Sequence, residues 1–135
     1  MRLPLRFLGL LLLAPVFGGC FSPREAAPRP APALHLVYFR LQDPADAGEL
    51  LADCDEMLST IESVRVYAAG PHNELITREE VDRDYDLCLL LGFDDLRDYQ
   101  AYLDHPRHRA LVEKWRPRLL EVDGLRIHDV WDRTP

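Results

Sequence analysis

The chain has 135 residues, of which 47% are apolar and 29% charged, and its formal charge is −7. Acids outnumber bases 23 to 16 and the bases form no cluster, so the sequence lacks the electrostatic footprint of a nucleic-acid partner. Such a length allows one small folded domain once any leader is set aside.

The first twenty residues, MRLPLRFLGLLLLAPVFGGC, carry Arg2 and Arg6 and no acid, then an apolar run from Phe7 to Phe17, then Gly18, Gly19 and Cys20. A charged start, a short apolar middle and a small-residue exit are the marks of a secretory signal. The run is about 11 residues against the roughly 20 that a membrane-crossing helix needs. The ending FGGC resembles the lipobox of bacterial lipoproteins, which implies cleavage before Cys20 and a diacylglycerol on its sulfur. Residues 1–19 are therefore expected to be a lipoprotein signal peptide. A lipid anchor would be the only membrane contact, with the protein at the bacterial cell envelope facing the periplasm or exterior. Loss of Arg2 and Arg6 with that segment takes the formal charge from −7 to −9.

Residues 20–33 continue as CFSPREAAPRPAPA, with prolines at 23, 28, 30 and 32. Such composition cannot bury a core and favours extended polyproline geometry, so it reads as a stiff tether. Residues 34–135 remain for the domain. Leu34 to Leu41, LHLVYFRL, is dense in strand formers and reads as a strand buried on both faces or nearly so. Asp43 and Pro44 stop it. From Ala45 to Glu62, Leu50, Leu51, Cys54, Leu58 and Ile61 recur at helical spacing. Val64 to Ala69 is a second strand, closed by Gly70 and Pro71, and the polar stretch after it is a loop. Tyr85 to Phe93, YDLCLLLGF, is the third strand, with Leu87, Leu89 and Leu91 on one face and Cys88 and Leu90 on the other.

Asp94 or Asp95 can cap a helix with Leu96, Tyr99 and Leu103 on its apolar side and Tyr102 near the edge. Pro106 suits the first turn of another helix, and His105 before it is pushed out of helical geometry, so HPRH is a helix-to-helix corner. The next helix runs from Arg107 toward Leu120 on a stripe of His108, Leu111, Val112, Trp115 and Leu119, with Pro117 kinking or restarting it. Gly124 closes the helical region, and Leu125 to Trp131 is the last strand. The order β-α-β-β-α-β is the ferredoxin-like α+β plan, an antiparallel sheet with helices on one face. Apolar residues point both ways from the strands, so the uncovered face predicts a second copy of the chain, joined sheet to sheet. Cys54 on the helical stripe and Cys88 on the far sheet face should not meet.

HLVYFRL near the domain start, the strand from Tyr85-Asp86 to Phe93-Asp94, and the corner Tyr102-x-x-His105-Pro106-x-His108 resemble the stress-responsive dimeric α/β-barrel (Dabb) family, over residues 34–131. The resemblance implies a homodimer whose two sheets close into a barrel. A polyketide-cyclising member of that family works with the second histidine of the corner and the tyrosine six residues before it. By position these are His108 and Tyr102, with His35 also lining the pocket. Leu87 stands where that member has a further pocket histidine, which implies a more apolar cavity. His108 would take a proton from a carbon between two carbonyls while Tyr102 orients the ring or a substrate oxygen.

Two readings stay open. One is a noncatalytic dimeric module binding a small apolar ligand in a pocket touching His35, Leu87 and His105. The other is a cyclase-like or other proton-transfer enzyme using His108 and Tyr102. No cofactor is implied. A metal held by His105, His108 and Asp104 is disfavoured because Pro106 fixes the backbone between the two rings. His72 and His128 have no constellation around them and read as solvent or edge residues.

Overall fold

The computed structural model describes residues 26–132; the expected signal peptide, Cys20 and the first part of the tether lie outside the described residues. Four strands form one antiparallel sheet in the order β2-β3-β1-β4, with β1 at Ala33–Phe39, β2 at Val66–Gly70, β3 at Leu87–Phe93 and β4 at Leu125–Trp131. Between them run α1 (Ala47–Met57), α2 (Leu96–Asp104) and α3 (Pro106–Trp115). This is the ferredoxin-like α+β architecture, with a third helix because the corner at Pro106 divides the second helical segment. Among the described residues no helix is long and apolar enough to cross a membrane.

Strand β1 shows why the sheet has two unequal faces. Ala33, His35, Val37 and Phe39 are buried under the helices, whereas Leu34, Leu36 and Tyr38 are only half-buried. The sequence predicts near-equal burial; the single chain supplies helices to one face only. Strand β3 repeats the pattern, with Leu87, Leu89 and Leu91 in the core and Cys88 and Leu90 outside. Cys54 is buried on α1, and Cys54 and Cys88 are free thiols.

Three elements differ from the periodic reading. A short 3-10 turn, Pro44–Asp46, precedes α1, and the helix stops at Met57, although Leu58 and Ile61 stay buried beyond it. Helix α2 is capped by Asp95, whose side chain accepts from the N–H groups of Arg97 and Asp98. Its face is rotated from the expected one: Tyr102 is 1% exposed and Leu96 is 60% exposed. Periodicity fixes which residues share a face but not how the helix rolls onto the sheet, and packing of the Tyr102 ring decides that roll. Finally, α3 ends at Trp115, and Pro117 sits in a 3-10 turn, Arg116–Arg118, where its missing N–H breaks no α-helical ladder.

The segment from Arg116 to Gly124 then crosses back to β4 as a strap. Gln42 fastens it, its amide donating to the carbonyls of Pro117 and Leu119 at 3.0 and 2.9 Å. A Cβ at Gly124 would lie 2.1 Å from the Leu120 carbonyl oxygen, so only glycine lets the strap turn this tightly into β4. Gly124→Ala is expected to destabilise the fold by about 1–3 kcal/mol, the usual cost of forcing atoms into a packed site. Chemical denaturation would show it, and an unchanged midpoint would contradict the tight turn.

Candidate functional site

Strand β4 is an edge of the sheet, and its helix-side residues Leu125 and Ile127 are left open. Leu125 and Ile127 are 45% and 49% exposed there. The space beside them, roofed by the end of α3 and the strap, is a pocket of about 850 Å³. Its apolar walls include Val37, Phe39, Leu111, Val112, Trp115 and Ile127, and its polar groups include His35, Tyr99, Tyr102 and His108. Trp115 is held as a wall by its indole N–H, which donates to Asp53 at 2.7 Å, and by the Arg118 guanidinium stacked 4.0 Å from its ring.

The corner places the first pair. Helix α2 cannot continue through Pro106, so its last carbonyls lack intrahelical partners. His105 takes an extended conformation, φ −66° and ψ 136°, and its Nδ1 accepts from the Arg107 N–H as the cap of α3. That leaves the Leu103 carbonyl for the His108 ring, and His108 Nδ1 donates to it at 3.0 Å. A neutral imidazole has one N–H, so His108 Nε2 is left as a bare lone pair. Burial is the main cause that lowers the His108 pKa, with the Leu103 bond opposing it. The ring is therefore neutral at pH 7. Tyr102 packs 4.4 Å from it, centroid to centroid, and burial pushes the tyrosine pKa up, so its hydroxyl keeps its proton.

The second group comes from strand register. His35 on β1 is paired with Asp129 on β4, and their side chains meet at 2.7 Å between His35 Nδ1 and Asp129 Oδ1. A carboxylate only accepts, so His35 Nδ1 is the donor, and the Tyr99 hydroxyl lies 3.1 Å from the same nitrogen. The Tyr99 hydroxyl lies 3.3 Å from Asp129 Oδ2 and donates to it. The rings of His35 and Tyr102 are 6.0 Å apart, which joins the two groups into one wall.

The structure thus brings together His35, Tyr102 and His108. It places the other two expected pocket residues elsewhere. Leu87 is buried in the core, and Leu89 of the same strand reaches the pocket instead. His105 caps α3 and borders a separate polar groove with Thr60 and Ser63. His105, His108 and Asp104 do not form a ligand set, and among the described residues no three His, Cys, Asp or Glu side chains are placed to hold a metal. His128 packs edge-on against Tyr38, and His72 against Tyr85, on the outer sheet face. Asp129 was not visible as a site residue in the sequence, because only the β1–β4 register brings it to His35.

Residues 33–131 match the Stress Responsive A/B Barrel Domain family. A Dabb-family protein of ferredoxin-like fold from Mesorhizobium loti is 25% identical, superposes with a TM-score of 0.59, and is covered over 95% of its length by 76% of this chain. Dimeric ferredoxin-like proteins of unknown function from Thermobifida fusca and Jannaschia sp. are each 22% identical, with TM-scores of 0.59 and 0.60. They match 73% of this chain over 89% and 96% of their own lengths. No curated protein matches the chain.

A histidine whose pKa is lowered by folding binds its proton more readily in the unfolded chain, so stability is lost as pH falls through the unfolded value of 6.5. Denaturation midpoints are expected to fall between about pH 6.5 and 5, above the range where carboxylates titrate. The fall should shrink in His108→Gln, whose amide can still donate to the Leu103 carbonyl without titrating. Equal pH profiles for the two proteins would contradict the burial of a neutral ring.

Proposed function

The chain belongs to the stress responsive A/B barrel domain family, and from that premise we propose that it is an exported, lipid-anchored homodimeric module that holds a small, largely apolar ligand. The observation that carries the binding reading is the pocket of about 850 Å³ between β4, α3 and the strap. Concave sites with apolar walls and a few convergent polar groups are where small molecules bind. His108 provides such a group: its Nδ1 is bonded to the Leu103 carbonyl, which leaves Nε2 free on a ring that lines the pocket.

Proton-transfer catalysis on a carbonyl compound is the second reading, favoured by the His108 lone pair beside a protonated Tyr102. In it, His108 Nε2 would accept a proton from carbon and Tyr102 would donate a hydrogen bond to the developing enolate oxygen.

Support for the homodimer comes from the outer face. Leu34, Leu36, Val66 and Leu90 are half-buried there with no helix over them among the described residues, and Val130 is 50% exposed. Contiguous apolar surface of this kind marks an interface. The solved proteins from Thermobifida fusca and Jannaschia sp. are described as dimeric. Export and the anchor rest on the sequence from Met1 to Cys20.

The neutral fluorophore N-phenyl-1-naphthylamine is expected to bind the full chain saturably at one site per protomer, and Ile127→Trp, which fills the pocket from its exposed wall, should weaken it at least about tenfold. Binding that ignores the substitution, or no binding at all, would remove the ligand reading. Leu36→Asp should convert the dimer to monomer in native mass spectrometry; a wild-type monomer at high concentration would refute the dimer. Mass spectrometry of membrane fractions should find diacylglycerol on Cys20, and an unmodified thiol would rule out the anchor.

A further inference from the structure

We infer that the pocket selects a neutral molecule that donates hydrogen bonds, a phenol, enol or alcohol on an apolar body, and rejects carboxylates and phosphates of the same shape. This deepens the ligand reading above and rests on it.

A neutral imidazole owns one N–H. His108 gives its own to the Leu103 carbonyl, so its Nε2 is left as a lone pair on a ring that lines the pocket. The pocket therefore offers an acceptor. The two tyrosine hydroxyls do not answer it with open donors: Tyr102 is 1% exposed, and the Tyr99 hydroxyl is engaged with His35 Nδ1 at 3.1 Å and Asp129 Oδ2 at 3.3 Å. His35 Nδ1 is itself held by Asp129 at 2.7 Å.

An anion entering this wall would meet the His108 lone pair where it needs a donor. The carboxylate of Asp129 stands behind His35, and the rim adds Glu121 and Asp123 against Arg116 alone. Desolvating a carboxylate there without paired donors is costly. A hydroxyl fits the same atom, because it donates to His108 Nε2. Val37, Phe39, Leu111 and Ile127 then cover the apolar body.

The test titrates the full chain at pH 7.5 with three probes of like shape, 4-butylphenol, 4-butylbenzoate and butylbenzene. Calorimetry gives affinities, and ring-nitrogen NMR of the histidines locates the site. The expected result is that 4-butylphenol binds at least about tenfold tighter than either of the others and moves the ring resonances of His108. If butylbenzene or 4-butylbenzoate binds as tightly as the phenol, the donor requirement is overturned while the pocket remains a ligand site. If the phenol binds without moving the His108 ring, the inference falls as well. If none of the three binds, the inference and the ligand reading fall together.

Discussion

The site depends on one carbonyl group. Pro106 ends α2 at Asp104, which strands the half-buried Leu103 oxygen without an intrahelical partner, and satisfying such a carbonyl contributes about 0.5–1.5 kcal/mol. His108, one turn into α3, supplies the missing N–H at 3.0 Å. That single bond does three things. It joins α2 to α3 across the corner, it holds the imidazole against Tyr102, and it fixes which nitrogen of His108 carries the proton. The corner is a structural solution first, and the chemistry of the pocket is its by-product.

The rest of the fold leaves room for that chemistry. Strand β4 is an edge strand whose residues Leu125 and Ile127 stay uncovered on the helix side, and the strap from Arg116 to Gly124 walls the gap without filling it. Asp129, opposite His35 in the β1–β4 register, turns that strand into an electrostatic support for the pocket. The outer face has the opposite problem. Leu34, Leu36 and Leu90 are apolar and half-buried with no helix over them among the described residues, and the proposed dimer is the arrangement that would remove them from water.

Much of this was legible in the sequence, for identifiable reasons. Alternation in YDLCLLLGF assigned the two faces of β3 correctly, because a strand has a period of two whatever covers it. Pro106 announced the corner, and Cys54 and Cys88 were separable from their positions on a helix and on a strand. The roll of α2 was not legible: Leu96 and Tyr102 lie about 120° apart on the helical circle with Tyr99 and Leu103 between them, and packing among His35, Phe93 and His108 decides that the tyrosine is buried. Nor was Asp129 legible beside His35, since the two are 94 residues apart and meet through strand order and register. Leu87 and His105 were drawn into the pocket by position in a family pattern, whereas the strand's pleat gives the pocket Leu89 and the α3 cap keeps His105.

The tautomer of His108, read from the two ring-nitrogen resonances of isotopically labelled full chain at pH 7.5, tests this arrangement most directly. A proton fixed on Nδ1 and a bare Nε2 are expected. A proton on Nε2, or a ring exchanging freely between the two forms, would contradict it, because the Leu103 carbonyl would then have no hold on the ring.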